Sequence, residues 1–136
     1  MNRLVGAMLL TGLLAGCASN QEFACGVVSS GARPPAEQGL FQVLVTHIDG
    51  QPVVSKASYR LSPGRHDLRL VELIDDPRLG VNLRARSYRE LTLQLQPDQE
   101  LLLAARFDLQ GQKPDGGRYW EPVIWQRRQH SCSLEP

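Results

Sequence analysis

The sequence predicts an all-β fold, an antiparallel β-sandwich of about seven or eight strands. Three observations predict it. Turn residues recur every ten or so positions through most of the chain, and the segments between them alternate apolar and polar residues with period two. No segment sustains apolar residues at helical spacing. A cleaved signal and a short tether are expected ahead of the sandwich.

The signal is read from the first sixteen residues. Met1-Asn2-Arg3 gives a positive start, and Leu4 to Leu13 gives an apolar run. About ten apolar residues fit a cleaved segment and are too few to span a bilayer. Its removal leaves residues 17–136, enough chain for one domain with a real core. Arg3 leaves with it, so the mature chain carries equal numbers of basic and acidic residues. That balance argues against a nucleic-acid partner, which needs a basic surface.

Residues 17–40 read as a tether. Ser29-Ser30-Gly31-Ala32-Arg33-Pro34-Pro35 is loop chemistry, and only Phe23 to Val28 can pair as a short strand. The sandwich is expected over residues 41–136. Phe41 to Ile48 is rich in β-branched and aromatic residues, with Phe41, Val43, Val45 and His47 on one face. Asp49-Gly50 is a turn signal. A strand follows near Lys56 to Leu61, then the Ser62-Pro63-Gly64 turn, then a strand from His66 to Leu73. Ile74 to Gly80 is a loop. Val81, Leu83 and Ala85, and then Leu91, Leu93 and Leu95, share odd parity, and Ser87 and Arg89 break the run, so a bulge or two separate strands are expected. Gln96-Pro97-Asp98 turns the chain into Leu101 to Leu109, the most apolar run of the mature protein and the expected central strand. Gln110 to Gly117 reads as a hairpin loop. Tyr119 to Ser131 is the last strand, interrupted or at a sheet edge at Pro122.

Leu14-Ala15-Gly16-Cys17 resembles the lipobox of bacterial lipoproteins. The resemblance implies that Cys17 carries diacylglycerol in thioether linkage, becomes the N-terminus after cleavage, and is then N-acylated. Several acyl chains on one residue hold a protein stably to its membrane. Ala18 follows the cysteine, not the aspartate of an inner-membrane retention signal, which implies the outer membrane with the domain facing the periplasm. Apart from that covalent lipid no cofactor is expected. In an oxidising compartment Cys25 and Cys132 are expected to form a disulfide across the two ends of the domain. Closing a loop of roughly a hundred residues stabilises by about 4 to 5 kcal/mol in the chain-entropy model. A metal pair of His130 with Cys132 is the alternative, and it lacks a second ligand cluster.

A further resemblance lies in Asp49-Gly50-Gln51-Pro52-Val53 and Tyr59-Arg60-Leu61-Ser62-Pro63-Gly64-Arg65-His66-Asp67-Leu68. These stretches resemble the PEGA-type hairpin module, in which a strand ends in a D-G turn and a later one runs through L-x-P-G-x-H. The resemblance implies an envelope-associated adhesion or binding domain and not an enzyme. In build alone, the chain is also similar to the β-sandwich pilotins, lipoproteins that escort outer-membrane secretins of type II and type III secretion.

Candidate chemistry is sparse. His47, His66 and His130 would bind zinc only if their strands met, and none has close His-x-x-His spacing. His66 follows the P-G-R turn and is expected to make a local hydrogen bond that fixes it. There is no Gly-x-Ser-x-Gly elbow and no phosphate loop. Asp75-Asp76 reads as turn chemistry, and Arg84, Arg86 and Arg89 as a solvated basic face or a partner site. The candidate partner surface is the aromatic-basic segment, with Arg118, Tyr119, Trp120, Trp125, Arg127 and Arg128 as its residues. An exposed Trp flanked by arginines suits a partner; the competing reading has one Trp plugging the core and the other capping its end. The expected function is a non-catalytic binding or accessory module, lipid-anchored and with an envelope protein as partner. A pilotin-type chaperone for a secretin is the alternative.

Overall fold

The computed structural model describes residues 23–77, 79, 86–107 and 119–134. Over these residues the chain is all-β and forms two packed sheets. The strands are β1 (Gly26–Ser29), β2 (Leu40–Phe41), β3 (Val43–Ile48), β4 (Gln51–Pro52), β5 (Ser58–Leu61), β6 (Gly64–Glu72), β7 (Tyr88–Leu95), β8 (Gln99–Phe107) and β9 (Trp120–Gln129). One short 3-10 turn, Ala36–Gln38, precedes β2. One sheet holds β9, β8, β1, β2 and β5; the other runs in the order β4-β3-β6-β7.

The expected central strand is central. β8 pairs with β9 along its whole length, from Gln99↔Gln129 to Phe107↔Trp120. A strand has two edges, so β1 and β2 must share the other. β1 lies parallel to Glu100–Leu102 and β2 antiparallel to Ala105–Arg106. Both edges of β8 are consequently paired. Leu101, Leu103, Ala105 and Phe107 join the core between the sheets, while Leu102 and Ala104 are buried on the reverse face. Fully burying a side chain of this kind stabilises by about 1.5 to 3 kcal/mol. Phe41 meets Phe107 edge to face, with ring centroids 6.3 Å apart, a geometry that adds about 0.5 to 1.5 kcal/mol.

The inner face of the second sheet follows the alternation in the sequence: His66, Leu68, Leu70 and Glu72 from β6, and Leu93 and Leu95 from β7, are buried. β3 departs from it. Its register against β6 shifts between Val45 and His47, so Thr46 is an extra residue. The bulge turns His47 off the inner face and puts Ile48, 8% exposed, in its place. The expectation that Phe41, Val43, Val45 and His47 share one face therefore fails at His47 alone. At the Asp49-Gly50 turn both residues have positive φ, 51° and 82°, as a two-residue hairpin between right-twisted strands requires.

The tether expected over residues 17–40 is corrected by β1. The strand anticipated within Phe23 to Val28 falls at Gly26–Ser29, fully buried and set between β8 and β5. The packed domain thus begins well before residue 41. Gly26 sits so close to the β7–β8 turn that a Cβ there would lie 2.5 Å from Leu95 Cγ; only glycine fits. Cys17, Arg118, the Val81-Leu83-Ala85 alternation and the Gln110–Gly117 loop lie outside the described residues.

Cys25 and Cys132 form the expected disulfide, with Cα atoms 5.4 Å apart. Asp98, in the β7–β8 turn, organises this end. Its N–H donates to Cys25 O, its carbonyl accepts from His130 N, and its Oδ1 accepts from Cys132 N, each at 2.9 Å. Both chain ends are thereby tied to one turn as well as to each other. Replacing Cys25 and Cys132 together by serine should lower the unfolding free energy by about 2 to 5 kcal/mol, read from urea melts; an unchanged midpoint would show that Asp98 and the strand pairing suffice.

Candidate functional site

The aromatic-basic segment is largely structural. Tyr119 is buried, and Trp120, at 2% exposure, is among the largest side chains of the core. Neither can meet a partner on the surface, and both are withdrawn as partner-binding candidates. Burial follows from position: Trp120 opposes Phe107 at the end of β8, where the sandwich needs a large plug. The register of β9 then shifts, with Leu102 opposite Gln126 and Leu103 opposite Ile124, leaving Trp125 as the extra residue. The bulge is at Trp125 and not at Pro122, which pairs with Ala105. Trp125 is half-buried, while Arg127 and Arg128 are exposed. Arg128 Nε donates to the buried Glu100 Oε1 at 2.5 Å. Of the expected surface, Trp125, Arg127 and Arg128 retain solvent access.

The three histidines do not converge. His130 is exposed and bonds Ser131 O, and His47 bonds Thr46 Oγ1. Among the described residues no three His, Cys, Asp or Glu side chains gather as a metal site. Cys132 is in the disulfide and is not available as a ligand beside His130.

His66 makes the local bonds expected of it. Its Nδ1 lies 2.6 Å from Asp49 Oδ2 and its Nε2 2.6 Å from Ser62 O. Both partners are acceptors, so both ring nitrogens donate and the ring carries charge. Asp49 also accepts from Asp67 N through Oδ1 at 2.8 Å. The Asp49-Gly50 turn and the Ser62-Pro63-Gly64 turn are thereby locked together by one imidazolium. Burial opposes that charge, but the bonds to Ser62 and Asp49 outweigh it and raise the His66 pKa. The bond from the Asp67 backbone, then that with His66, lowers the Asp49 pKa.

A second polar cluster was not foreseen. Glu72 is fully buried at the end of β6. It accepts from Ile74 N at 2.6 Å and from Tyr119 Oη at 2.9 Å. Arg86 pairs with it, Nε lying 3.2 Å from Oε1, too far out of line for a hydrogen bond, while Nη1 donates to Oε2 at 3.5 Å and Nη2 to Ile74 O at 3.3 Å. Arg86 is thus not on a solvated face. Burial, then the hydrogen bond to Glu72 and its charge, push the Tyr119 hydroxyl up to about 12, so it remains a donor. The signal was a carboxylate at the inward parity of His66, Leu68 and Leu70. This cluster joins the start of β9 to the β6–β7 connection, and its internal pairing suits it to structure.

A groove of about 590 Å³ is lined by Ile48, Val53, Lys56, Ser58, Tyr59, Arg60 and Leu61. It lies where β5 borders one sheet and β4 the other. Tyr59 shapes its rim: the hydroxyl donates to Val54 O at 2.7 Å and accepts from Lys56 N at 3.0 Å. Val54, whose carbonyl accepts the first of these bonds, is 76% exposed. Sequence reasoning missed this site because Lys56 to Leu61 reads as an ordinary strand; the sequence does not say that, among the described residues, it pairs on one side alone.

No protein-family model matches the chain, and no curated protein or solved structure matches it.

The imidazolium lock sets a pH dependence. The His66 contribution is fully present below the ordinary histidine value of 6.5 and is lost as pH rises through the higher folded value. The Asp49 contribution is present above the ordinary 3.8 and is lost as pH falls through its lowered folded value. Urea melts from mildly acidic to alkaline pH should therefore show stability falling above neutrality in the native protein. The His66→Gln variant should lack that component of the fall; parallel curves for the two would remove His66 as its source.

Proposed function

We propose that the chain is an outer-membrane-anchored periplasmic lipoprotein and a non-catalytic binding module of the cell envelope. The observation that carries the binding role is the groove beside β5, which is open and partly apolar, with the exposed Val54 next in sequence to its lining residue Val53. The anchor rests on Cys17 and the residues before it. The Cys25–Cys132 disulfide suits an oxidising compartment. From Cys17 to Phe23 the chain can extend at most about 20 Å, so the domain would work close to its membrane. The lock between Asp49 and His66 gives the PEGA-type resemblance a physical reason, because the D-G and P-G-x-H residues bond one another. A pilotin-type escort of a secretin is the second reading, and an open groove at a sheet margin favours it, since a partner segment can lodge there.

In cells given labelled palmitate, the native protein should take up label and sediment with outer membranes. Cys17→Ala should do neither; a labelled or membrane-bound variant would overturn the anchor. A photo-crosslinker at Val54 should capture an envelope protein, while one at Tyr88, on the opposite margin of its sheet from β4, should not. Equal capture at both positions, or at neither, would overturn the groove as the binding face. Recovery of a secretin would decide for the escort.

A further inference from the structure

We infer that β5 is an acceptor edge: it takes an extended segment of a partner polypeptide as an added strand, one with apolar and acidic residues in alternation. This deepens the binding role proposed above and rests on it.

The backbone supplies the first argument. β5 pairs only with β1 among the described residues. Ala57 O accepts from Ser30 N and Gly31 N, so Ala57 faces β1. In an antiparallel pair, alternate residues turn their polar groups to the partner, so Tyr59 and Leu61 also face β1. The N–H and C=O groups of Ser58 and Arg60 are left on the outer margin, spaced to pair with another strand.

The side chains supply the second. Tyr59 and Leu61 point inward, packed against the core, as do Ile48 and Val53 across the opening. A strand laid beside β5 would place alternate residues over these apolar groups and the others outward, next to Arg60. Lys56 stands at the rim, Arg60 is exposed with its Nη1 donating to Ser133 O at 3.0 Å, and no carboxylate lines the groove. Apolar residues inward and acidic residues outward complement that surface.

Comparison with the other margins supplies the third. β9 carries Pro122 and the Trp125 bulge, both of which discourage pairing. β7 lies against β9, closing that side of the sandwich. Among the described residues β5 has neither an interruption nor a neighbour on its outer margin, and the groove lies there.

The test uses the full lipoprotein in detergent micelles and two soluble eight-residue probes, one alternating Val with Glu and one alternating Val with Lys. The Val-Glu probe should slow amide exchange at Ser58 and Arg60 and bind at least about tenfold more tightly than the Val-Lys probe. Arg60→Glu should reverse the preference. Ser58→Pro removes an outward N–H without breaking a bond to β1, and should weaken Val-Glu binding about tenfold. If Ser58→Pro does not fold, amide exchange and Arg60→Glu decide alone. Unchanged exchange at both amides, or equal affinity for the two probes, would overturn the inference. A partner captured through Val54 with both amides unprotected would overturn strand addition and leave the binding role standing.

Discussion

The fold depends on how β8 divides its two edges. One is given entirely to β9, and the other is split between β1 and β2, which run in opposite directions. The strand is also apolar on both faces: five successive residues, Leu101 to Ala105, are buried. This arrangement also explains why the first and last described segments converge. β1 comes from the beginning and β9 from the end, and both lie on β8. Cys25 and Cys132 follow as close neighbours of its first turn, where Asp98 bonds backbone groups from each end. The disulfide secures a closure that strand pairing has already made.

What was legible in the sequence was whatever a local rule dictates. The positive φ at Asp49 and Gly50, the alternation in β6 and the apolar run of β8 follow from turn chemistry and from period-two burial. What was illegible depended on a distant partner. Gly26–Ser29 looks like part of a tether because the next seven residues are Ser, Gly, Ala, Arg and Pro; its strand character is completed by β5 and β8, which lie some thirty and seventy residues away. The bulges at Thr46 and Trp125 have no local signature, yet each changes which side chain faces inward. Parity put His47 on one face with Phe41, Val43 and Val45, but no parity argument survives an extra residue.

The buried polar residues show the same dependence on context. Glu72 occupies an apolar parity position and would be costly there alone. Its bonds to Ile74 N, Tyr119 Oη and Arg86 satisfy it, and removing one partner of such a buried pair costs about 3 to 5 kcal/mol. Tyr119 and Trp120, which composition suggests as a recognition patch, serve this cluster and the core. Their aromatic character was legible; its use was not, because aromatic residues suit a plug and an interface equally well.

The search for a binding surface therefore moves from residue type to unfinished structure. A sandwich of two open sheets has margins, and each exposes backbone groups that must be paired, obstructed or left to solvent. Here one side is closed by β7 against β9, and β9 is further obstructed by a proline and a bulge. The other side has a short strand, Ser58–Leu61, flanked by cations and facing an apolar opening. Positive charge on an edge is itself a common guard against self-association, since two copies repel. The same charge attracts an acidic strand. An edge guarded in this way excludes its own kind while admitting a complementary partner, so one set of charges serves both to prevent self-association and to select.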